Sequence, residues 1–199
     1  MTIGIDIDNT ITNTSIYSNT LLKKDPLYNN KNNYRELNEE QIKDFLTKYL
    51  ESIVKNVLVK EDVIDTLNYW KNKGHKIVFI TARGAESTSD FVSLKSTYLT
   101  SLYFAKNNIP FDKLIFFQEE KGNACLNEFV DIFIDDRENV LDEVAKKGIK
   151  TLRISEERVD SKHKLVQNWQ EIKKYIDIIF FINSQALTCR NIISIYSYT

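Results

Sequence analysis

The chain has 199 residues, 42% hydrophobic and 28% charged, with a formal net charge of −1. Those proportions exclude a disordered tail and a membrane array and fit one main domain with room for a modest insertion. A near-neutral balance gives no broad field for polymeric nucleic acid; Cys125 and Cys189 have neither zinc nor disulfide spacing. The chain enters its first strand with no charged region or apolar signal core, so a cytoplasmic protein with reduced thiols is expected.

The first predicted element is a strand over 2–8, Thr2-Ile3-Gly4-Ile5-Asp6-Ile7-Asp8. In an extended chain residues i and i+2 point to one side, so Asp6 and Asp8 leave it together while Ile3, Ile5 and Ile7 pack. Like charges at that spacing repel, and a fold tolerates them mainly where a cation or a reaction uses them. An inserted segment follows over 13–58, then a helix over 61–73 and a strand over 75–81 that ends at Thr81-Ala82-Arg83 before Gly84. A helix over 88–107, a strand over 113–117 and a helix over 121–128 come next. Lys121 in that first turn opposes the helix dipole, at a cost of ~0.3–1 kcal/mol, and so asks for a reason. The strand over 130–135 ends in the pair Asp135-Asp136. A helix over 138–147, a strand over 149–154 and a helix over 163–176 complete the pattern, the last burying Leu165, Trp169, Ile172 and Ile176. Gly74 and Gly148 follow helices where a left-handed residue is favoured. Alternating elements imply an α/β fold, a Rossmann-like parallel sheet of about five strands with helices on both faces.

Two acid-bearing strands, a strand-end Thr and a helix-start Lys, in that order, resemble the haloacid dehalogenase-like (HAD) phosphohydrolases over residues 2 to 155. The texture of Ile3-Gly4-Ile5-Asp6-Ile7-Asp8, Thr81-Ala82-Arg83 and Ile134-Asp135-Asp136-Arg137-Glu138-Asn139 is most similar to the 5'(3')-deoxyribonucleotidase group. Asn9 stands where those enzymes usually carry Gly, and Asn also accepts a left-handed conformation. The resemblance implies a catalytic core over 1–12 and 59–177 and a small helical cap over 13–58. It further implies Asp6 as nucleophile, Asp8 as general acid and base, and Thr81 and Lys121 as phosphate-binding groups, to which the place of Arg83 after Thr81 at the strand end adds a candidate. Mg²⁺ would be held by Asp6, Asp8 through its main-chain carbonyl, and Asp135, with Asp136 behind them. The expected substrate is a small phosphate monoester, a nucleoside monophosphate first and a sugar or other metabolite phosphate second. A phosphate-sensing module like a response-regulator receiver is the non-enzyme alternative, although receivers place their acids before the Thr.

Arg83 is matched between a phosphate clamp and a surface ion pair, with Glu86 and Arg137 weaker candidates. In the insertion, Tyr17, Tyr28, Tyr34, Phe45 and Tyr49 are read first as the cap's own core and second as a base-stacking surface. Its Lys23, Lys24, Lys31 and Arg35 could meet phosphate or form a solvated face. A helix capped by Asn38, with Gln41 three residues on, is expected within it. The apolar tail 178–199 is too short to cross a bilayer and is expected to pack on the sheet edge, engage a second copy or lack order.

Overall fold

A computed structural model of the chain describes residues 1–85 and 90–196. Six strands, β1 (Thr2–Ile5), β2 (Lys76–Ile80), β3 (Lys113–Ile115), β4 (Ile132–Asp135), β5 (Lys150–Ile154) and β6 (Lys164–Val166), form one sheet in the order β3-β2-β1-β4-β5-β6. Every pairing is parallel. The register sets Ile5 beside Phe79 on one side and Ile134 on the other, so β1 and β4 end together.

Near-continuous apolar strands are what a sheet covered on both faces requires. Ile77, Phe79, Ile132 and Ile134 join a cluster with residues of α3 (Val63–Asn72), α4 (Asp90–Lys106) and α7 (Trp169–Tyr196). Val78, Ile80 and Phe133 point the other way, against α5 (Gly122–Asn127) and α6 (Glu138–Ala145). Gly4 belongs to that second face and has no room for a side chain, since a Cβ there would lie 2.7 Å from the Phe133 ring. Gly74 and Gly148 adopt left-handed φ values of 78° and 79°, ending helices as expected.

Two expectations fail at the C-terminal end. Residues 164–166 form β6 rather than a first helical turn, pairing Leu152 with Lys164 and Ile154 with Val166, so the sheet has six strands. The edge of β5 takes a partner for its open backbone groups, and the four-residue spacing of Leu165 and Trp169 imitates a helical period. The helix itself starts at Trp169 and runs on to Tyr196 through the residues read as a tail. Ile179 is buried in the core and Phe180 meets His75 edge-on, centroids 4.7 Å apart. No helix among the described residues is long and apolar enough to cross a membrane.

Between β1 and α3 stand α1 (Thr14–Lys24), a 3-10 turn (Tyr34–Glu36) and α2 (Glu39–Asn56). The chain leaves and re-enters the core through two extended stretches bridged antiparallel at Thr12 and Val59. Asn38 and Gln41 form the expected capping box at the start of α2. Phe45, fully buried, gathers Tyr28, Tyr34 and Tyr49 around it at centroid distances of 6.0, 5.4 and 4.9 Å. These aromatics are therefore the insertion's own core, and Tyr34 alone among them also borders the cavity below.

Candidate active site

The adjacent ends of β1 and β4 bring carboxylates of Asp6, Asp135 and Asp136 within 4.8 Å of one another. Lys121, with no exposed surface, lies between them: its Nζ donates to Asp6 Oδ1 at 2.5 Å and to Asp135 Oδ2 at 2.8 Å. Burial, opposed by Lys121 and reinforced by Asp135 and Asp8, pushes Asp6 up to about 6. Burial likewise raises Asp135 and Asp136, the latter also through Asp6. Burial would discharge Lys121, but its two carboxylate partners outweigh this and hold it above the usual lysine range.

The position of Lys121 at a helix start has a structural answer. Its ammonium turns away from the α5 dipole into the acids, and Glu143 of α6 supplies the negative charge the helix start favours. The Glu143 carboxylate accepts from Lys121 N at 3.0 Å and from Gly122 N at 2.9 Å. Gly122 leaves that carboxylate its place, because a Cβ would lie 2.3 Å from Glu143 Oε1 and push it aside. Two other lysines near in sequence stand apart from the acids: Lys106 is exposed on α4 and Lys113 pairs with Glu128.

Beyond β1 the chain turns through Asn9 at φ 60°, the left-handed conformation anticipated for this residue. Asn9 Oδ1 then accepts from Ser15 N at 2.7 Å, tying the turn to the start of α1. Asp8 meets Arg83 as a fork, Nε to Oδ2 at 2.9 Å and one terminal nitrogen to Oδ1 at 2.6 Å. Thr14 also donates to Asp8 Oδ1 at 2.7 Å, and the other Arg83 nitrogen donates to Thr100. Burial works against the charge on Asp8, but the guanidinium and its hydrogen bonds more than offset it and hold the carboxyl below its ordinary range. Arg83 is thus neither a surface ion pair nor an open clamp; its side chain is mostly buried and engaged with Asp8. Thr81, buried at the end of β2, accepts from Arg83 N at 3.2 Å and borders the same cleft. Glu86 lies outside the described residues, and Arg137 borders the cleft while its backbone N–H donates to Asp135.

The insertion covers these groups and encloses with them a cavity of about 580 Å³. On one side lie Asp6, Asp8, Thr81 and Asp136; on the other, α2 presents Ile42, Leu46, Leu50, Ile53 and Val54. Arg35 of the 3-10 turn reaches from the insertion to Asp136 at 2.9 Å, the one insertion cation of the four considered that borders the cavity. Thr14, Glu143 and the aliphatic face of α2 also belong to the site, and no sequence motif marks them.

The sequence matches no protein-family model and no curated protein. Solved structures do resemble the chain. A HAD-superfamily hydrolase from Ehrlichia chaffeensis aligns at 13% identity over 90% of this chain and 97% of its own, with a TM-score of 0.51. A haloacid dehalogenase-like family protein from Streptococcus pneumoniae aligns at 13% identity over 87% and 97%, TM-score 0.55. A predicted phosphatase from Clostridium acetobutylicum aligns at 16% identity over 88% and 97%, TM-score 0.59. The fold is that of the HAD-superfamily hydrolases. At these identities the likeness concerns the fold, so the chemistry is argued from the site itself.

Proposed function

We propose that the chain is a Mg²⁺-dependent phosphatase that hydrolyses a small phosphate monoester through an aspartyl phosphate, with a nucleoside monophosphate as first substrate. A sugar or other metabolite phosphate is the second reading, since the catalytic groups touch only the phosphoryl moiety. The observation that carries the proposal is Lys121, buried and bridging Asp6 and Asp135 beside Asp136 under a covering insertion. A receiver-like sensor has no use for a cavity of this size over its acids.

The donor set suits the metal. Three carboxylates with no thiolate or imidazole among them favour a hard cation such as Mg²⁺, held by Asp6, Asp135 and the Asp8 carbonyl with Asp136 alongside. Bound there, Mg²⁺ would neutralise charge on the phosphoryl oxygens.

In this reading an Asp6 oxygen attacks phosphorus in line, the bond to the alcohol oxygen breaks, and Asp6 becomes an acyl phosphate. Lys121 and Thr81 bind the equatorial oxygens and stabilise the charge gathering on them. Arg83 holds Asp8 ionised until a phosphate dianion competes for the guanidinium fork. Released, Asp8 takes up a proton from solvent, passes it to the departing alcohol oxygen and, as carboxylate again, removes a proton from the water that cleaves the acyl phosphate.

The test is a screen of nucleoside monophosphates, sugar phosphates and p-nitrophenyl phosphate, each with Mg²⁺ and with excess chelator. Turnover that needs Mg²⁺ supports the proposal. Turnover that survives exhaustive chelation refutes the metal assignment, and no turnover of any ester refutes the phosphatase.

A further inference from the structure

α4 is apolar on both sides, and only one side is covered. Val92, Leu99, Tyr103 and Phe104 are buried in the core. Between Asp90 and Lys106 the exposed positions are Phe91, Leu94, Tyr98, Ser101, Leu102 and Ala105, spaced along the other face of the helix. Phe91, Leu94, Tyr98 and Leu102 are 73%, 67%, 63% and 47% exposed. A surface helix normally turns charged residues outward, and neighbouring α2 does so, since every exposed position on it is polar. On α4 the one charged residue between the ends, Lys95, leans away to Glu51 of α2 at 2.9 Å. Four side chains of this size at those exposures present on the order of 450 Å², comparable to the patches of ~300–600 Å² that are often functional on monomers.

Asp90, Leu94, Tyr98, Leu102 and Lys106 fall at every fourth position, so they form one ridge with an acid at one end, a base at the other and three apolar groups between. The ridge is symmetric about Tyr98 except in the sign of its ends, which is the pattern that self-pairing about a two-fold axis needs. We infer that this face of α4 binds a second copy of the chain, the two helices antiparallel and Tyr98 against Tyr98 at the axis. Leu94 then meets Leu102 of the second copy, Phe91 meets the small Ala105, and each Asp90 meets a Lys106. Among the described residues neither Asp90 nor Lys106 forms an ion pair, so each gains a partner. Ridges of this kind interlock with the helix axes crossing at about 50°. Pairing removes roughly 900 Å² from the four apolar residues of both copies, near the ~1,000 Å² that a specific interface has to clear, so the dimer is reversible rather than obligate. A membrane fits the face less well, because one acid and one base leave it no net charge to meet anionic headgroups. The inference is independent of the phosphatase reading.

Sedimentation velocity of the full chain, across the low- to high-micromolar range, tests the pairing. Wild type should pass from monomer to dimer as concentration rises. Tyr98→Glu sets two carboxylates against each other at the axis and should raise the dimer Kd about 100-fold or more. Asp90→Lys and Lys106→Asp, taken singly, bring like charges together at both ends and should each raise Kd about 3- to 10-fold. The double variant restores opposite charges and should return Kd to within about twofold of wild type, which a mere loss of helix stability cannot do. All three positions are exposed, and circular dichroism with melting curves checks that each variant is folded. A wild type that stays monomeric throughout would overturn the inference. So would a Tyr98→Glu protein that dimerises as well as wild type, because the interface would then lie elsewhere. Single charge changes without effect, or a double variant no better than the singles, would refute the antiparallel register. Monomeric protein that instead floats with neutral or anionic liposomes, and loses this with Tyr98→Glu, would give the face to a membrane and end the proposal.

Discussion

Lys121→Met removes a buried charge and nearly keeps the side-chain volume, so it isolates electrostatics from packing. In the wild type one ammonium serves two buried carboxylates, at 2.5 and 2.8 Å. Breaking a buried pair by deleting one partner typically costs ~3–5 kcal/mol, because the remaining charge stays uncompensated. A domain has about 5–15 kcal/mol in total, so roughly a fifth or more of the stability is at stake. For a chain of this size that corresponds to a fall in Tm of roughly 6–20 °C. The loss should depend on pH, with a definite sign. Burial already raises the folded pKa values of Asp6 and Asp135, and Lys121 opposes the rise, so its removal raises both further. A carboxyl whose folded pKa exceeds its unfolded value destabilises the fold at high pH, and the penalty fades as pH falls through the folded pKa. The variant should therefore lose most at pH 8 in chelator and much less at pH 5. Saturating Mg²⁺ should restore part of the loss at pH 8, since ligand at one hundred times its Kd adds about 2.7 kcal/mol. Thermal melts at both pH values, with and without Mg²⁺, measure all of this. A loss that is equal at pH 5 and pH 8, or absent at both, would refute a charge-bridging role for Lys121.

Gly122→Ala should displace the Glu143 carboxylate, costing about 1–2 kcal/mol through the lost cap and more than tenfold in kcat through a shifted Lys121; equal kcat would show that Glu143 does not position it. Arg83→Ala should reduce kcat/KM about 30-fold or more, from ~2 kcal/mol lost with a charge-assisted pair, and unchanged kinetics would leave the Asp8 fork without catalytic meaning. Arg35→Gln removes an exposed ion pair, so stability should move by less than about 0.5 kcal/mol in a denaturant titration while KM rises; a large stability loss would contradict its reading as a contact between insertion and site.

The strand-end motifs were legible because their information is local. Alternation along 2–8 fixes which side Asp6 and Asp8 take, and a hydroxyl closing an apolar run marks Thr81. What the sequence hides is the meeting of distant segments. Arg35 and Asp136 are 101 residues apart, and Glu143 reaches back over 22 residues to Lys121. The aliphatic face of α2 reads as ordinary amphipathic patterning until a cavity is seen beside it. β6 was missed for another reason, since three residues are too few for a strand period and a neighbouring tryptophan supplied a false helical one. Arg83 exemplifies the remaining gap: its position at the strand end is readable, while its engagement by Asp8 depends on the fold.

The central claim is that Asp6 carries the phosphoryl group. Quenching the protein during turnover with Mg²⁺ and p-nitrophenyl phosphate, reducing with borohydride and mapping peptides by mass spectrometry tests it directly, because borohydride converts an aspartyl phosphate to homoserine. The account predicts homoserine at position 6, none at Asp8, Asp135 or Asp136, and neither turnover nor homoserine in a folded Asp6→Asn protein. Steady turnover with no modified residue at position 6, or near wild-type turnover by Asp6→Asn, would contradict it.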